Sequence, residues 1–341
     1  IPSPWDAVRL DAFTHRYAKT WLSVRKPRVL LIAYGETDDF AHDGWYDAYA
    51  RVLARHMGDH IPGKPLLIPR NMTGAGSRVA ASFVHGVAAK DGTVMGIADQ
   101  SIPLEQALGD SGVKFDSREF NWIGRVTSNI EVHVLSTKSK GATLEGAKTA
   151  EVPVASTGPG SPSDTYPRIL NDVFGTKFKV IRGFPGSTDG LLALERGEVE
   201  GRGGNAWASL KSSNKDWLDQ KKISVLVQIG MEREPELPDV PLLLELVQGE
   251  TNKQIVTLVS LPTFLGYAHW VSPDVPAERL AILRKAYSAT MQDKNFLAEA
   301  QKLDMMLRPQ SGEEVTAIVQ RVAATPPDIL KKAAQLLEWN E

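Results

Sequence analysis

The sequence predicts an α/β protein made of two doubly wound sheets with a central cleft. Three observations lead there. Apolar strand-like runs alternate with helical runs over residues 27–98, and the alternation restarts at residue 152. Three glycine- and hydroxyl-rich turns each open a helix: Asn71 to Ser77, Ser156 to Asp164, and Phe184 to Thr188. Two further stretches, Trp122 to Leu135 and Leu258 to Tyr267, read as crossings between the halves, forming a two-strand hinge. Ligands of such sheets bind beyond the carboxyl ends of the strands, which is where these turns fall.

Composition narrows the function classes. The chain has 341 residues, enough for two domains, and 42% of them are hydrophobic. Its formal net charge is −2, which gives no footprint for nucleic acid or an anionic membrane. There is no cysteine, so disulfides, thiolate nucleophiles and cysteine-ligated metals are excluded. No apolar run reaches the roughly 18 residues of a membrane span. The chain begins at Ile1 and not Met, which predicts processing or trimming.

Taken in order, residues 4–24 read as an amphipathic helix. Pro4 suits the first helical position, and Leu10, Phe13, Tyr17, Trp21 and Val24 make one apolar stripe. Val29 to Ala33 is a continuous apolar strand of a sheet covered on both faces. An acidic loop from Gly35 to Trp45 carries Glu36, Asp38, Asp39 and Asp43, with His42. A helix from Tyr46 to Met57, a short strand Leu66-Leu67-Ile68, a helix from Ser77 to Ala89 and a strand Thr93 to Ala98 follow. The second half reads as helix Thr143–Ala150, strand Val152–Ala155, helix Ser163–Phe174, strand Phe178–Ile181, helix Thr188–Arg196, loop Gly201–Asn205 and strand Ile223–Ile229. From Pro276 the chain is helical, with a Ser311-x-x-Glu314 capping box. These assignments divide it into an extra N-terminal helix (1–26), domain one (27–126 plus 264–341) and domain two (127–263).

The turn Ser156 to Asp164 is the strongest candidate anion site. Ser161, Ser163 and Asp164 can each cap the following helix, and a helix start offers free N–H groups and partial positive charge to a carboxylate. An ordinary strand-to-helix turn has the same composition.

Several segments together resemble the Bug or TctC-like family of extracytoplasmic solute receptors. They are Trp45 to Arg51 with His56-Met57, Asn71 to Gly76, Lys90 to Gly96, Ser156 to Asp164, Phe184 to Ser187, Gly197 to Glu200, Leu237 to Pro241 and Val275 to Arg279. They occur in the family's order over about residues 45–335. The resemblance implies a two-domain, type II periplasmic-binding-protein fold, no catalysis, no cofactor and a periplasmic location. It also implies a small organic anion as ligand, a di- or tricarboxylate or related acid, bound as the domains close. Membrane subunits of a tripartite tricarboxylate transporter are the implied partners, with no nucleic acid, and the receptor is expected to be a monomer. Carried over by residue, the resemblance makes Asp47, Thr73, Gly74, Gly76, Thr157, Gly160, Ser161, Ser163, Gly186, Ser187 and Asn205 ligand-binding candidates. Arg202 is a further candidate, as a counter-charge to the ligand; a solvated loop arginine is the alternative.

Residues 5–44 depart from that pattern. Lys26 to Ile32 followed by Gly35 to Gly44 resembles a fragment of the alkaline-phosphatase-like superfamily, in which Asp38 and His42 would have the spacing of metal ligands. A metal-dependent phosphohydrolase is the alternative function this implies. A catalytic centre needs more ligands, and the other histidines (His15, His56, His60, His85, His133, His269) are scattered singly. The expected role of this segment is structural: the borrowed strand supplies the first strand of domain one. The acidic loop behind it would repel a carboxylate in the cleft and weaken or alter binding.

Overall fold

The computed structural model describes residues 30–33, 45–72, 77–97, 99–109, 114–158 and 161–337. The expected helix over 4–24 and the acidic loop before Trp45 lie outside these residues. In chain order the helices are α1 (Trp45–Met57), α2 (Arg78–Gly86), α3 (Ile102–Ala107), α4 (Leu144–Thr149), α5 (Pro162–Phe174), α6 (Ser187–Arg196), α7 (Trp207–Ser213), α8 (Lys215–Asp219), α9 (Leu243–Leu246), α10 (Glu250–Leu265), α11 (Ala277–Thr290), α12 (Lys294–Lys302), α13 (Gly312–Ala323) and α14 (Pro327–Leu336). The strands are β1 (Leu30–Ala33), β2 (Val94–Ile97), β3 (Asn121–Arg125), β4 (Glu131–Ser136), β5 (Val152–Ala155), β6 (Phe178–Ile181), β7 (Gly201–Ala206), β8 (Ile223–Ile229), β9 (Ala268–Val271) and β10 (Gln310–Ser311).

Among the described residues the strands form two five-stranded sheets. The first has the order β1-β2-β9-β3-β10 and the second β6-β5-β7-β4-β8. The apolar run Leu30 to Ala33 takes the expected place as the first strand, parallel to β2. Both sheets are mixed, and the reason is the crossings. β9 enters the first sheet antiparallel to β2 and β3, and β4 enters the second antiparallel to β7 and β8. At the junction the two crossing segments pair: Val126 N–H donates to Tyr267 O at 3.4 Å, and Tyr267 N–H donates to Thr127 O at 3.2 Å.

Three assignments from sequence change. Leu66-Leu67-Ile68 is no strand; Leu67 and Arg70 make single bridges only. Pro65 and Pro69 flank it, and neither has an N–H to give a ladder. The stretch from Leu258 to Leu265 is not a crossing but the end of α10, which runs through Pro262. That helix is buried over most of its length from Ile255 to Leu265 and packs on α3, α13 and α14, so tertiary packing overrides the proline. The return occurs just after it, at Gly266 and Tyr267. Residues 201–205 form strand β7, not a loop.

Local chemistry accounts for the rest. Tyr166, Ile169, Leu170, Val173 and Phe174 recur at helical spacing along α5, and Gly175 (φ 67°) closes it. The capping box forms as expected: Ser311 Oγ accepts from Glu314 N–H at 3.2 Å, and Glu314 Oε2 accepts from Ser311 N–H at 2.8 Å. Arg125 is buried at the end of β3. Its guanidinium donates to Arg308 O and Phe264 O and lies 4.1 Å over the Phe264 ring. Burial lowers its pKa to about 10, so it stays charged at neutral pH. Among the described residues no helix is long and apolar enough to cross a membrane.

Candidate functional site

The site is built where two turns of the second sheet meet. β5 ends at Ala155, and the chain passes through Ser156-Thr157-Gly158 into α5, with Ser161 as its N-cap in extended backbone. β7 lies beside β5, pairing Arg202 with Ala155. Gly204 has φ +59°, and a Cβ there would sit 2.4 Å from Pro162 Cβ and 2.7 Å from Ser163 N. β7 is therefore pressed directly onto the first turn of α5, and only glycine satisfies both the backbone and the contact. A Cβ at Gly203 would lie 2.8 Å from Pro167 Cδ. We expect Gly204→Ala to destabilise the protein by roughly 1–3 kcal/mol and to displace the start of α5. Urea unfolding checks this, and an unchanged midpoint would contradict the packing.

The hydroxyls of the turn are linked to one another. Ser163 Oγ accepts from Thr157 N–H at 3.1 Å and lies 2.9 Å from Ser161 Oγ and 3.3 Å from Thr157 Oγ1. Ser161 Oγ also reaches Gly158 O at 2.7 Å. Ser163 is buried, and Thr157 and Ser161 are half-buried above it. Asp164, a candidate cap by sequence, does not cap the helix. It is fully buried, with Arg168 Nε at 2.9 Å, Arg182 Nε at 2.8 Å and Arg182 Nη2 at 3.1 Å. Two guanidinium groups thus converge on one buried carboxylate beneath the turn.

Arg202 is no solvated loop residue; it is 3% exposed within β7. Its Nη1 donates to Asn205 Oδ1 at 2.6 Å and Gly204 O at 3.0 Å, and its Nη2 donates to Ser187 Oγ at 2.9 Å. Asn205 Nδ2 in turn donates to Val132 O and Arg202 O. Ser187 begins α6, with Gly186 as its N-cap. A Cβ at Gly190 would lie 3.2 Å from Arg202 Cδ, so α6 packs tightly over the arginine. The structure thus joins Ser187, Arg202 and Asn205 in one group and Thr157, Ser161 and Ser163 in a second, with β7 touching both.

On the first sheet, Asp47 lies in the first turn of α1. Its Oδ2 takes Arg51 Nε at 2.6 Å, and its Oδ1 is buried without a partner. Beyond β2, Gln100 N–H donates to Tyr46 Oη at 3.3 Å. Tyr46 and Tyr49 pack on the ring of Tyr267 at the junction, at 4.5 and 4.6 Å. Thr73, Gly74, Gly76, Gly160, Asp38 and His42 lie outside the described residues. Among the described residues no three histidine or acidic side chains come together as a metal site.

Sequence reasoning missed Glu131. It opens β4 beside Ala206 and Ile229 and is 4% exposed. Its Oε1 accepts from Asn129 Nδ2 at 3.3 Å, and its Oε2 has no partner. Burial raises its pKa to about 7; Arg202 acts against that rise and Asp99 adds to it. The available signal was one acid leading the apolar run Val132 to Leu135.

Two mixed α/β sheets joined by paired crossing segments, with turns and helix starts facing the junction, make this a periplasmic-binding-protein fold of the type II class. Within that class it has the fold of the TctC-type solute-binding proteins. A TctC solute-binding protein from Polaromonas superposes with a TM-score of 0.66 at 19% identity, over 90% of this chain and 98% of that one. A protein of R. palustris solved with adipate gives 0.62 at 16% identity, over 91% and 97%. MatC from Rhodopseudomonas palustris with bound malate gives 0.59 at 21% identity, over 89% and 98%. The Polaromonas protein is a solute-binding protein. No protein-family model and no curated protein matches the chain in sequence.

Proposed function

We propose that the protein is an extracytoplasmic solute-binding receptor for a small carboxylate, acting in the periplasm and handing its ligand to a tripartite tricarboxylate-type transporter. The observation that carries this reading is the convergence of two helix starts, a hydroxyl cluster and the buried Arg202 at the carboxyl ends of β5 and β7. Hydroxyls and a guanidinium offer charge-assisted hydrogen bonds to a carboxylate. Adipate and malate, bound by two proteins of the same fold, have the matching chemistry.

In this reading residues 27–126 plus 264–341 form domain one, and 127–263 form domain two. The ligand-binding set is Thr157, Gly160, Ser161, Ser163, Gly186, Ser187, Arg202 and Asn205 from domain two, faced by Asp47, Thr73, Gly74 and Gly76. Closure follows if the ligand binds the closed arrangement better than the open one. A thermal-shift panel of di- and tricarboxylates tests the function. The expected result is a saturable rise in melting temperature with at least one acid; a flat response across the panel would overturn it.

A further inference from the structure

Two chain crossings join the two halves of the molecule, and beside them an ion pair links the same halves. Arg308 Nη2 donates to Glu234 Oε2 at 2.7 Å. Arg308 is held by the half that carries the first sheet. Its N–H donates to Val126 O at 3.0 Å, and its carbonyl accepts from Arg125 Nε at 3.3 Å and Nη2 at 3.1 Å. Glu234 is held by the half that carries the second sheet. Its N–H donates to Gln228 Oε1 at 2.6 Å, and Gln228, fully buried in β8, donates through Nε2 to Leu237 O at 3.1 Å and Val240 O at 2.7 Å. Each end of the pair is therefore fixed to its own half.

The carboxylate is 1% exposed and the arginine side chain 19%, so solvent and salt screen the contact only in part. Packing around it is discontinuous. Met306 packs on the cluster that holds Trp207 and Leu237. Next to that contact lies a cavity of about 290 Å³, lined from both halves by Tyr49, Ile130, Trp207, Glu234, Tyr267 and Met306. A gap contributes no dispersion contacts, so the charged hydrogen bond supplies much of the attraction between the halves at this point. Such a bond is lost once its heavy atoms separate beyond about 3.5 Å, so a small rotation of one half against the other breaks it.

We propose that the Glu234–Arg308 pair is a strut between the two halves, which stabilises their orientation seen here and sets the balance against any other orientation they take up. The strut rests on the two-domain division proposed above and lies outside the ligand-binding set.

Distances between two spin labels, measured by pulsed electron paramagnetic resonance on the unliganded protein, test it. The chain has no cysteine, so Glu195→Cys on α6 and Lys285→Cys on α11 put one label on each half. Both positions are exposed. Glu234→Gln keeps the shape, and its Oε1 can still accept from Glu236 N–H. Arg308→Gln is the second variant, decisive if Glu234→Gln does not fold, because the backbone bonds of residue 308 to Val126 and Arg125 do not need its guanidinium. In each variant we expect the ratio of orientations to move about tenfold, read as a shifted distance or a second one. Distance distributions that superpose on that of the labelled parent in both variants would overturn the strut. No ligand enters the measurement, so that result leaves the receptor reading standing, and a flat carboxylate panel leaves the strut standing.

Discussion

Acidification from pH 6.5 to 4.5 is expected to destabilise the protein by roughly 4 kcal/mol through two buried histidines alone. His133 lies in the second sheet with its ring 4.5 Å from that of Phe178, and His269 lies in β9 of the first sheet. Both are fully buried; the ring nitrogens of His133 have no hydrogen-bond partner, and at His269 the Tyr267 backbone only partly offsets the burial. Burial pushes their pKa values down to about 3 and about 4. The neutral ring is therefore the folded form, while the unfolded chain takes up a proton on each below about pH 6.5. Below that value the unfolded state binds more protons and stability falls with pH, by about 1.4 kcal/mol per unit for each ring. Glu131 works in the opposite sense. With a folded pKa of about 7 it holds a proton that the unfolded chain releases above about pH 4.3, so it offsets roughly one of the two histidines in this window. Denaturant unfolding across pH, compared with His133→Leu/His269→Leu, isolates the effect. The double variant should lack the two-proton component; parallel pH profiles for the two proteins would contradict it.

The second large effect is expected at Asp164. Its carboxylate is fully buried and is the shared partner of Arg168 and Arg182. Removing it leaves two guanidinium groups at the start of α5 with that attraction gone. Both arginines are partly exposed, at 22% and 34% of their side chains, which lets them recover some hydration. We therefore place Asp164→Ala at the lower end of the range for breaking a buried pair, about 3 kcal/mol. Asp164→Asn, which keeps the shape and removes the charge, should lose most of the same stability. Urea unfolding checks both. A loss confined to the alanine variant would assign the effect to packing and contradict the electrostatic cause. Ligand affinity should fall in both variants, because Ser156 Oγ donates to Asp164 and Thr157 N–H to Ser163 at the same helix start.

Much of this architecture could be read from residue order. The apolar run at Leu30 to Ala33 forms a strand as its pattern predicts, the first of the first sheet and parallel to β2. Ser311 and Glu314 form their reciprocal cap, and Ser161 starts the helix after the glycine turn. Two of the misreadings share one cause, that packing outweighed local preference. Three glycines between residues 201 and 204 carry little strand propensity, yet they form β7 because Pro162, Ser163 and Pro167 press against them. Pro262 reads as a break, yet α10 continues because its surroundings bury it. Arg202 has the look of loop chemistry because its segment does. Once the segment is a strand, the guanidinium becomes buried and organises Ser187 and Asn205. Glu131 could not be ranked from sequence, because its significance lies in an oxygen left without a donor, which only three-dimensional surroundings reveal.

If the second sheet grips a carboxylate through the hydroxyls above β5, removing those hydroxyls must weaken binding. Calorimetric titration of the wild-type protein and a Ser161→Ala/Thr157→Val variant decides this, using the acid that gives the largest thermal shift. Both side chains are half-buried at the turn, so their loss should leave the fold intact while removing hydrogen bonds to the ligand. The wild type should bind one-to-one, at about 8 kcal/mol for micromolar affinity. The variant should lose about tenfold or more in affinity. Equal affinity in the two proteins would contradict the hydroxyl grip.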